Sequence, residues 1–91
     1  MPGTPLSLCC NRLTIEFVTA IRETALKVDG VRAIHKCHLR KMGLEYYVDI
    51  QVRVDGELTV RRGHEIAHQV KSRLREDHPT VRDALVHVEP A

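Results

Sequence analysis

The residues of this chain that carry the most chemistry are its histidines and cysteines. His35 and Cys37 alternate on a predicted strand, His64 lies in the first turns of a predicted helix, and His87 and Glu89 alternate on the last predicted strand. Zinc and similar ions prefer imidazole, thiolate and carboxylate ligands, so three elements could bring these side chains to one site. The residue types indicate a metal site, and the alternative is a set of separate surface histidines.

A second pattern is the pentapeptide His64-Glu65-Ile66-Ala67-His68, which matches H-E-x-x-H. On a helix this spacing places two imidazoles one turn apart, and in zinc peptidases the glutamate between them is the general base. Such an enzyme also needs a third ligand and a substrate cleft, for which 91 residues leave little chain. A minimal zinc metallohydrolase is therefore the alternative to a binding protein. If the chain is a binding protein, His68 is a solvated helix residue.

The three cysteines are Cys9, Cys10 and Cys37. Their number is odd, and the adjacent pair could form a bridge only with strain, so a disulfide scaffold is not expected. Reduced thiols have two interpretations. They are small buried apolar side chains, which suits a single Cys37, or they are soft ligands for copper(I) or zinc.

Hydrophobic periodicity predicts the elements that would position these side chains. They are a helix from Arg12 to Val28 capped by Asn11 and stopped by Gly30, strands over Val31–Arg40 and Tyr46–Val54, a helix capped by Thr59 that ends before Pro79, and a strand over Val81–Glu89. Residues 1–11 are predicted to form a flexible N-terminal arm, and residues 12–91 the folded domain. The order α-β-β-α-β, with both helices on one face of the sheet, is that of an open-faced α+β sandwich.

The same periodicity predicts which side chains form the core. They are Ile15, Val18, Ile21 or Arg22, Ala25 and Val28 on the first helix, Tyr46, Val48, Ile50, Val52 and Val54 on the second strand, Val60, Gly63, Ala67, Val70 and Leu74 on the second helix, and Ala84, Val86 and Val88 on the last strand.

Composition narrows the classes of function. The chain has 14 Lys plus Arg against 12 Asp plus Glu, 43% apolar residues and almost no aromatic residues. This is one small domain with a thin core, to which a dimer or a bound metal would add stability. The small net positive charge argues against nucleic-acid binding. An RNA-binding module would have to use the basic face of the second helix, whose charges are better explained as a solvent-exposed surface. No apolar run is long enough to insert into a membrane and no signal peptide is present, which predicts a cytoplasmic location.

Six fragments, in their order along the chain, resemble the cytoplasmic C-terminal domain of cation diffusion facilitator transporters. They are Gly30-Val31 through Ile34-His35, Arg40-Lys41-Met42-Gly43, Tyr47-Val48-Asp49-Ile50, Val54-Asp55 with Leu58-Thr59, His64-Glu65-Ile66-Ala67, and Val86-His87-Val88-Glu89-Pro90. The resemblance covers nearly everything after residue 13. It implies a metallochaperone-like (ferredoxin-like) fold, a V-shaped homodimer, and zinc or a related divalent ion bound at the subunit interface to regulate a transporter.

The resemblance also assigns ligands, position by position. His35, His64, His87 and Glu89 match ligand positions of the family, whereas Gln51 stands where many members have a histidine, so fewer or weaker metal sites are implied.

The segment Lys36-Cys37-His38 departs from the family, which commonly has an acidic residue, leucine and arginine there. Together with Cys9 and Cys10 it adds soft ligands, so copper becomes an alternative to zinc. The membrane helices of the family do not precede this domain here, and Met1 followed by a cysteine-bearing arm favours a free-standing domain over an excised one. The sequence therefore predicts a non-enzymatic, homodimeric metal-binding domain for metal sensing, buffering or delivery, with a membrane metal transporter as a candidate partner.

Overall fold

The computed structural model describes residues 12–91, with side chains from residue 14 onward. Its elements, in chain order, are α1 (Arg12–Leu26), β1 (Ala33–Met42), β2 (Glu45–Val54), α2 (Val60–Asp77) and β3 (Val81–Pro90). The strands form one three-stranded sheet in the order β1-β2-β3. β1 and β2 are antiparallel, and β3 is parallel to β2, which lies in the centre. The predicted α-β-β-α-β open-faced sandwich is confirmed.

One hydrophobic core lies between the two helices and the inner face of the sheet. Its buried side chains are Ile21, Ala25 and Val28 from α1 and the turn after it, Ile34, Val48, Ile50, Val52 and Val54 from the first two strands, and Ile66, Val70, Leu74, Val81 and Ala84 from α2 and β3. Full burial of each large aliphatic side chain contributes about 1.5–3 kcal/mol, and this burial holds the helices against the sheet.

The predicted alternation of β2 is confirmed. Its apolar residues from Val48 to Val54 are buried, whereas Asp49, Gln51 and Arg53 are only partly covered. The helices pack on the apolar face, which leaves the opposite face of the sheet uncovered, and we call this surface the open face. The open face is therefore where the polar side chains of the sheet can meet.

β1 departs from regular alternation at His35. Ile34 pairs with Val52 and Lys36 pairs with Gln51, so His35 is an extra residue without a partner on β2 and forms a β-bulge. After the bulge Cys37 pairs with buried Ile50 and lies on the core face. Strict alternation would have placed His35 and Cys37 on the same face, and the bulge separates them.

α1 ends at Leu26, two residues before the predicted Val28. The amides of Lys27 and Val28 donate to carbonyl oxygens three residues back, at 3.2 and 3.1 Å, which tightens the last turn. Gly30 then takes φ +97°, the left-handed conformation expected of a helix stop. The predicted core position of Ile15 is wrong, because this side chain is 53% exposed.

α2 begins after the predicted N-cap, where Thr59 Oγ1 accepts a hydrogen bond of 3.1 Å from the amide of Arg62. Its buried stripe is Ile66, Val70 and Leu74. The predicted core position of Val60 is wrong, because this side chain is 91% exposed. Val60 precedes Ile66 by six residues, which is about 240° around the helix and away from the buried stripe.

β3 buries Val81 and Ala84, while Val86 is half-buried and Val88 is 36% exposed. Val81 joins the core although sequence alternation did not include it. The reason is an irregularity in the ladder, where Val81 pairs with Tyr46 but Asp83 pairs with Tyr47, so Arg82 is the extra residue. The polar residues His87 and Glu89 then follow on the open face as predicted.

Candidate metal centre

Two of the predicted ligands meet on the open face. His35 Nδ1 lies 3.3 Å from Glu89 Oε1, although the two residues belong to β1 and β3, the outer strands of the sheet. The side chains reach each other over β2, and both are partly exposed to solvent, His35 at 41% and Glu89 at 34%. His35, the extra residue of the bulge, has its side chain on the open face, where it contacts Glu89. Imidazole and carboxylate groups are among the ligand types that divalent ions such as zinc prefer.

Arg53 lies beneath this pair on β2, in register with Glu89. Its Nε is 3.8 Å from Glu89 Oε1. The same Nε is buried and makes no hydrogen bond to any other described residue. The guanidinium therefore places a positive charge beside the carboxylate that a metal would use.

His87 is the third predicted ligand on the open face, and it faces a different carboxylate. Its Nε2 lies 3.4 Å from Asp49 Oδ1 on β2. Gln51, which is in register with His87, lies between Asp49 and Arg53 along the central strand. The open face thus carries two histidine–carboxylate pairs, on either side of Gln51. Asp49 was not predicted from the sequence to be a partner of His87.

His64 lies outside the sheet, on the first turns of α2. It lines a groove of ≈ 490 Å³ between α2 and the end of β3, which Glu89 and Val88 also line. Its Nε2 lies 3.1 Å from Nε2 of His68. His64 therefore borders the same groove as Glu89 but belongs to a separate histidine pair.

The glutamate of the H-E-x-x-H pattern pairs with an arginine of the same helix. Glu65 is exposed, and its Oε1 lies 3.4 Å from Arg62 Nη1 in a helical ion pair. Across residues 12–91, no group of three or more His, Cys, Asp and Glu side chains is gathered closely enough to hold a metal ion. The ligand candidates described above occur in pairs.

Cys37 is not brought to the open face. It is half-buried and packs against the core. Burial raises the pKa of its thiol, and the nearby positive charge of Arg22 offsets part of this effect. This position favours the interpretation of Cys37 as a small apolar core residue. Cys9, Cys10 and the predicted N-cap Asn11 lie outside the described residues.

His78 has a structural role that the sequence did not reveal. It is the C-cap of α2, and its amide donates to the carbonyl of Leu74 at 3.0 Å. Its Nε2 hydrogen-bonds to Oγ1 of buried Thr24 at 2.9 Å, which joins the end of α2 to α1. The ring also packs edge-on against Phe17, with ring centroids 5.7 Å apart. His78 is therefore occupied inside the fold and is not a candidate ligand.

Comparison with known proteins identifies the family. The family model for the cytoplasmic domain of cation efflux proteins matches residues 13–91. The chain belongs to this family, the cytoplasmic domains of cation diffusion facilitators, as its six sequence fragments predicted. Among residues 12–91, no helix has the length and apolar character needed to cross a lipid bilayer.

The similar sequences are longer metal-handling proteins. Metal tolerance protein C1 of Arabidopsis thaliana is 34% identical over 71 residues, a match that covers 78% of this chain and 15% of that protein. Manganese efflux system protein MneS of Bacillus subtilis (strain 168) is 30% identical over 76 residues, covering 84% of this chain and 26% of that protein. The chain thus spans a minor part of each relative.

Similar solved structures include the MamM-CTD 215-293, which has a TM-score of 0.84 at 27% identity and covers 86% of this chain and 99% of that one. A copper form of a MamM CTD variant has a TM-score of 0.83 at 26% identity, covering 86% of this chain and 98% of that one. These structures confirm the metallochaperone-like fold.

Proposed function

We propose that this chain is a non-enzymatic, cytoplasmic metal-binding module that binds zinc at an interface between two copies of itself. The proposed ligands are His35, His87 and Glu89 from the open face and His64 from α2. The single observation that carries the proposal is the 3.3 Å approach of His35 Nδ1 to Glu89 Oε1. Two side chains from the outer strands meet on a surface that the helices leave free, where a second chain can approach.

A second copy would supply the ligands that one chain does not gather. Zinc sites in proteins usually have four ligands, three or four of them from protein, whereas the open face offers an imidazole and a carboxylate at each pair. His64 borders the groove that ends at Glu89, so its imidazole is available to a partner chain approaching along β3. The relatives named above as metal tolerance and manganese efflux proteins support a role with metal ions.

The proposed mechanism is linkage between metal binding and the arrangement of the two chains. An ion whose ligands come from both copies binds the closed dimer more tightly than the open one, and it stabilises closure by that difference in affinity. The module could thereby sense, buffer or deliver metal, and a membrane metal transporter is the proposed partner whose state it would report or control.

Copper bound by thiols is the alternative to zinc. In that case Cys9 and Cys10 would act with Cys37, and the ion would be copper(I). The copper form of a similar structure supports testing this metal. The two metals are separated by titrating reduced protein with each one and comparing the wild type with a variant in which all three cysteines are serine. Loss of copper(I) binding with unchanged zinc binding would assign the thiols to copper.

The test of the zinc site uses a double variant, His35→Ala with His87→Ala. We expect zinc to shift the wild type from monomer to dimer in analytical ultracentrifugation, and we expect the double variant to lose both the shift and the tightest zinc binding in calorimetry. His38→Ala is the matched control, because His38 is an exposed histidine on β1 in register with Asp49 but outside the proposed ligand set. Unchanged zinc affinity in the double variant would overturn the assignment.

The hydrolase alternative has its own variant. Glu65→Gln removes the general base that a peptidase would need while retaining every proposed ligand. We expect zinc binding and dimerisation to be unchanged in this variant.

A further inference from the structure

The exposed surface of α2 carries a histidine pair that the proposed interface site does not use as a pair. His64 and His68 are four residues apart, and their Nε2 atoms lie 3.1 Å from each other. The rings meet edge to face, with centroids 4.5 Å apart and an angle of 82° between the planes. Both side chains are exposed. Two ring nitrogens are therefore close together on the exposed side of the helix.

The separation of these nitrogens fits a shared metal ion. Two nitrogens bound to one ion at about 2.0–2.1 Å lie about 2.9–3.4 Å apart for bond angles between 90° and 109°. The observed 3.1 Å is inside this interval. A hydrogen bond between two Nε2 atoms needs one nitrogen with a proton and one without. A metal ion would replace that proton and bind both nitrogens.

The helix is a rigid support for such a pair. Ile66 lies between the two histidines in sequence and is fully buried, as are Val70 and Leu74 on the same stripe. The spacing of the two imidazoles is therefore set by a segment that is anchored in the core. The backbone that carries both imidazoles is thus already ordered before an ion binds, which favours chelation.

One cation beside the pair has a carboxylate partner. Lys71, three residues after His68 on α2, has its Nζ 3.0 Å from Oδ1 of Asp83. This ion pair reduces the repulsion between Lys71 and a bound ion. A shallow depression of ≈ 200 Å³, lined by both histidines and by Leu85, leaves space for the ion's water ligands.

We infer that His64 and His68 form a second metal site, an open chelate on α2 that binds an imidazole-preferring divalent ion such as nickel, copper(II) or zinc within a single chain. Water would fill the remaining positions of the ion. The inference rests on the proposed function only through His64, which both sites would share. It extends the family's ligand set by His68, a residue that the fragments of resemblance do not include.

The test isolates the chelate from the interface site. The background is the variant His35→Ala, His87→Ala and Glu89→Gln, which removes the other proposed interface ligands, and the protein carries no polyhistidine tag. Nickel chloride is titrated into this background, into the background with His68→Ala, and into the background with His68→Ala and Gln69→His. The last variant keeps the number of histidines but moves the second imidazole by about 100° around the helix.

We expect the background to bind one nickel ion per chain. His68→Ala should weaken this binding by about tenfold or more, since it leaves one imidazole where two had bound, and moving the histidine to position 69 should not restore it. Circular dichroism checks that α2 remains folded, as expected for changes at exposed helical positions.

Two results would overturn the inference. In the first, the background binds nickel and His68→Ala weakens this binding by less than threefold. In the second, the wild type binds nickel but the background does not. The second result would leave the proposed interface site standing. If the wild type and the background bind nickel equally and also bind zinc equally, the proposed interface site would be contradicted and the chelate would be retained.

Discussion

Arg53 Nε lies 3.8 Å from Glu89 Oε1, while Glu89 Oε1 also lies 3.3 Å from His35 Nδ1. The carboxylate therefore has a guanidinium on one side and an imidazole on the other. A metal ion bound by Glu89 and His35 would be close to a permanent positive charge. Arg53 is thus a resident cation whose interaction with Glu89 competes with the proposed metal.

Removing this charge should strengthen metal binding. We expect Arg53→Gln to raise the affinity for zinc by about three- to tenfold, because a divalent ion would no longer be repelled at short range in a partly solvated site. Isothermal titration calorimetry of the two proteins measures the difference. Arg82→Gln is the matched control, since it makes the same change of charge at an exposed position at the start of β3. Equal gains in both variants would show that net charge, not the position of Arg53, sets the affinity.

Asp83 should make stability depend on pH in the acid range. The hydrogen bond from Lys71 and, after it, the one from the amide of Ala84 hold the pKa of the Asp83 carboxyl below its usual value. Because the folded pKa is depressed, this contribution is present above the ordinary pKa of aspartate, about 4, and is lost as the pH falls through the lower folded value.

The variant Asp83→Asn should therefore lower the free energy of unfolding at neutral pH by about 0.2–1 kcal/mol, as expected for an exposed ion pair. The difference from wild type should disappear in urea titrations at a pH near 2. Glu76→Gln, which removes an exposed carboxylate from α2, is the control. A difference that persists at low pH would contradict the role given to the charge.

Cys37 should react slowly. Since burial raises the pKa of its thiol, less thiolate is present at mildly alkaline pH, and the side chain is also partly inaccessible. In a background with Cys9→Ser and Cys10→Ser, we expect iodoacetamide near pH 8 to modify the folded chain at least about tenfold more slowly than the chain in urea. Mass spectrometry follows the reaction. Equal rates would mean that Cys37 is exposed and available as a ligand.

Gly30 should be hard to replace. A Cβ at this position would lie 2.6 Å from Cδ1 of Ile66, and the residue has φ +97°. We expect Gly30→Ala to destabilise the domain by about 2–4 kcal/mol, through backbone strain and a clash with a core side chain. Gly43→Ala is the control, because Gly43 has φ +66° but no atom within 4 Å of an added Cβ. The difference between the two variants in thermal unfolding measures the clash together with the additional backbone strain at φ +97°.

Much of the fold could be predicted because local patterns and tertiary packing agree. The alternation from Val48 to Val54 identifies a half-buried strand, and Thr59 identifies the start of α2 by its hydroxyl cap. The predicted core position of Val60 is wrong, and buried Ile66 was not among the predicted core residues. An apolar residue in the first turn of a helix carries no information about whether the rest of the fold extends far enough to cover it.

The site was predicted less completely because its geometry depends on register. Ile34 and Cys37 share a face although they are three residues apart, because the bulge at His35 adds one residue between them. The bulge interrupts the regular alternation of apolar and polar residues, so the sequence of β1 does not indicate which residues share a face. The partnership of His87 with Asp49 depends on the pairing of two strands separated by α2. Such pairings are set by long-range packing, which single residues and their neighbours do not specify.

The bulge at His35 also bears on how this domain can gain or lose a ligand during evolution. His35 is the residue that breaks the ladder, so its deletion would pair Ile34 and Lys36 as consecutive residues opposite Val52 and Gln51. Every other side chain of β1 would keep its face, and only the imidazole would disappear. A one-residue insertion or deletion can thus switch this ligand without disturbing the core, whereas elsewhere in a strand the same event would turn all following side chains over.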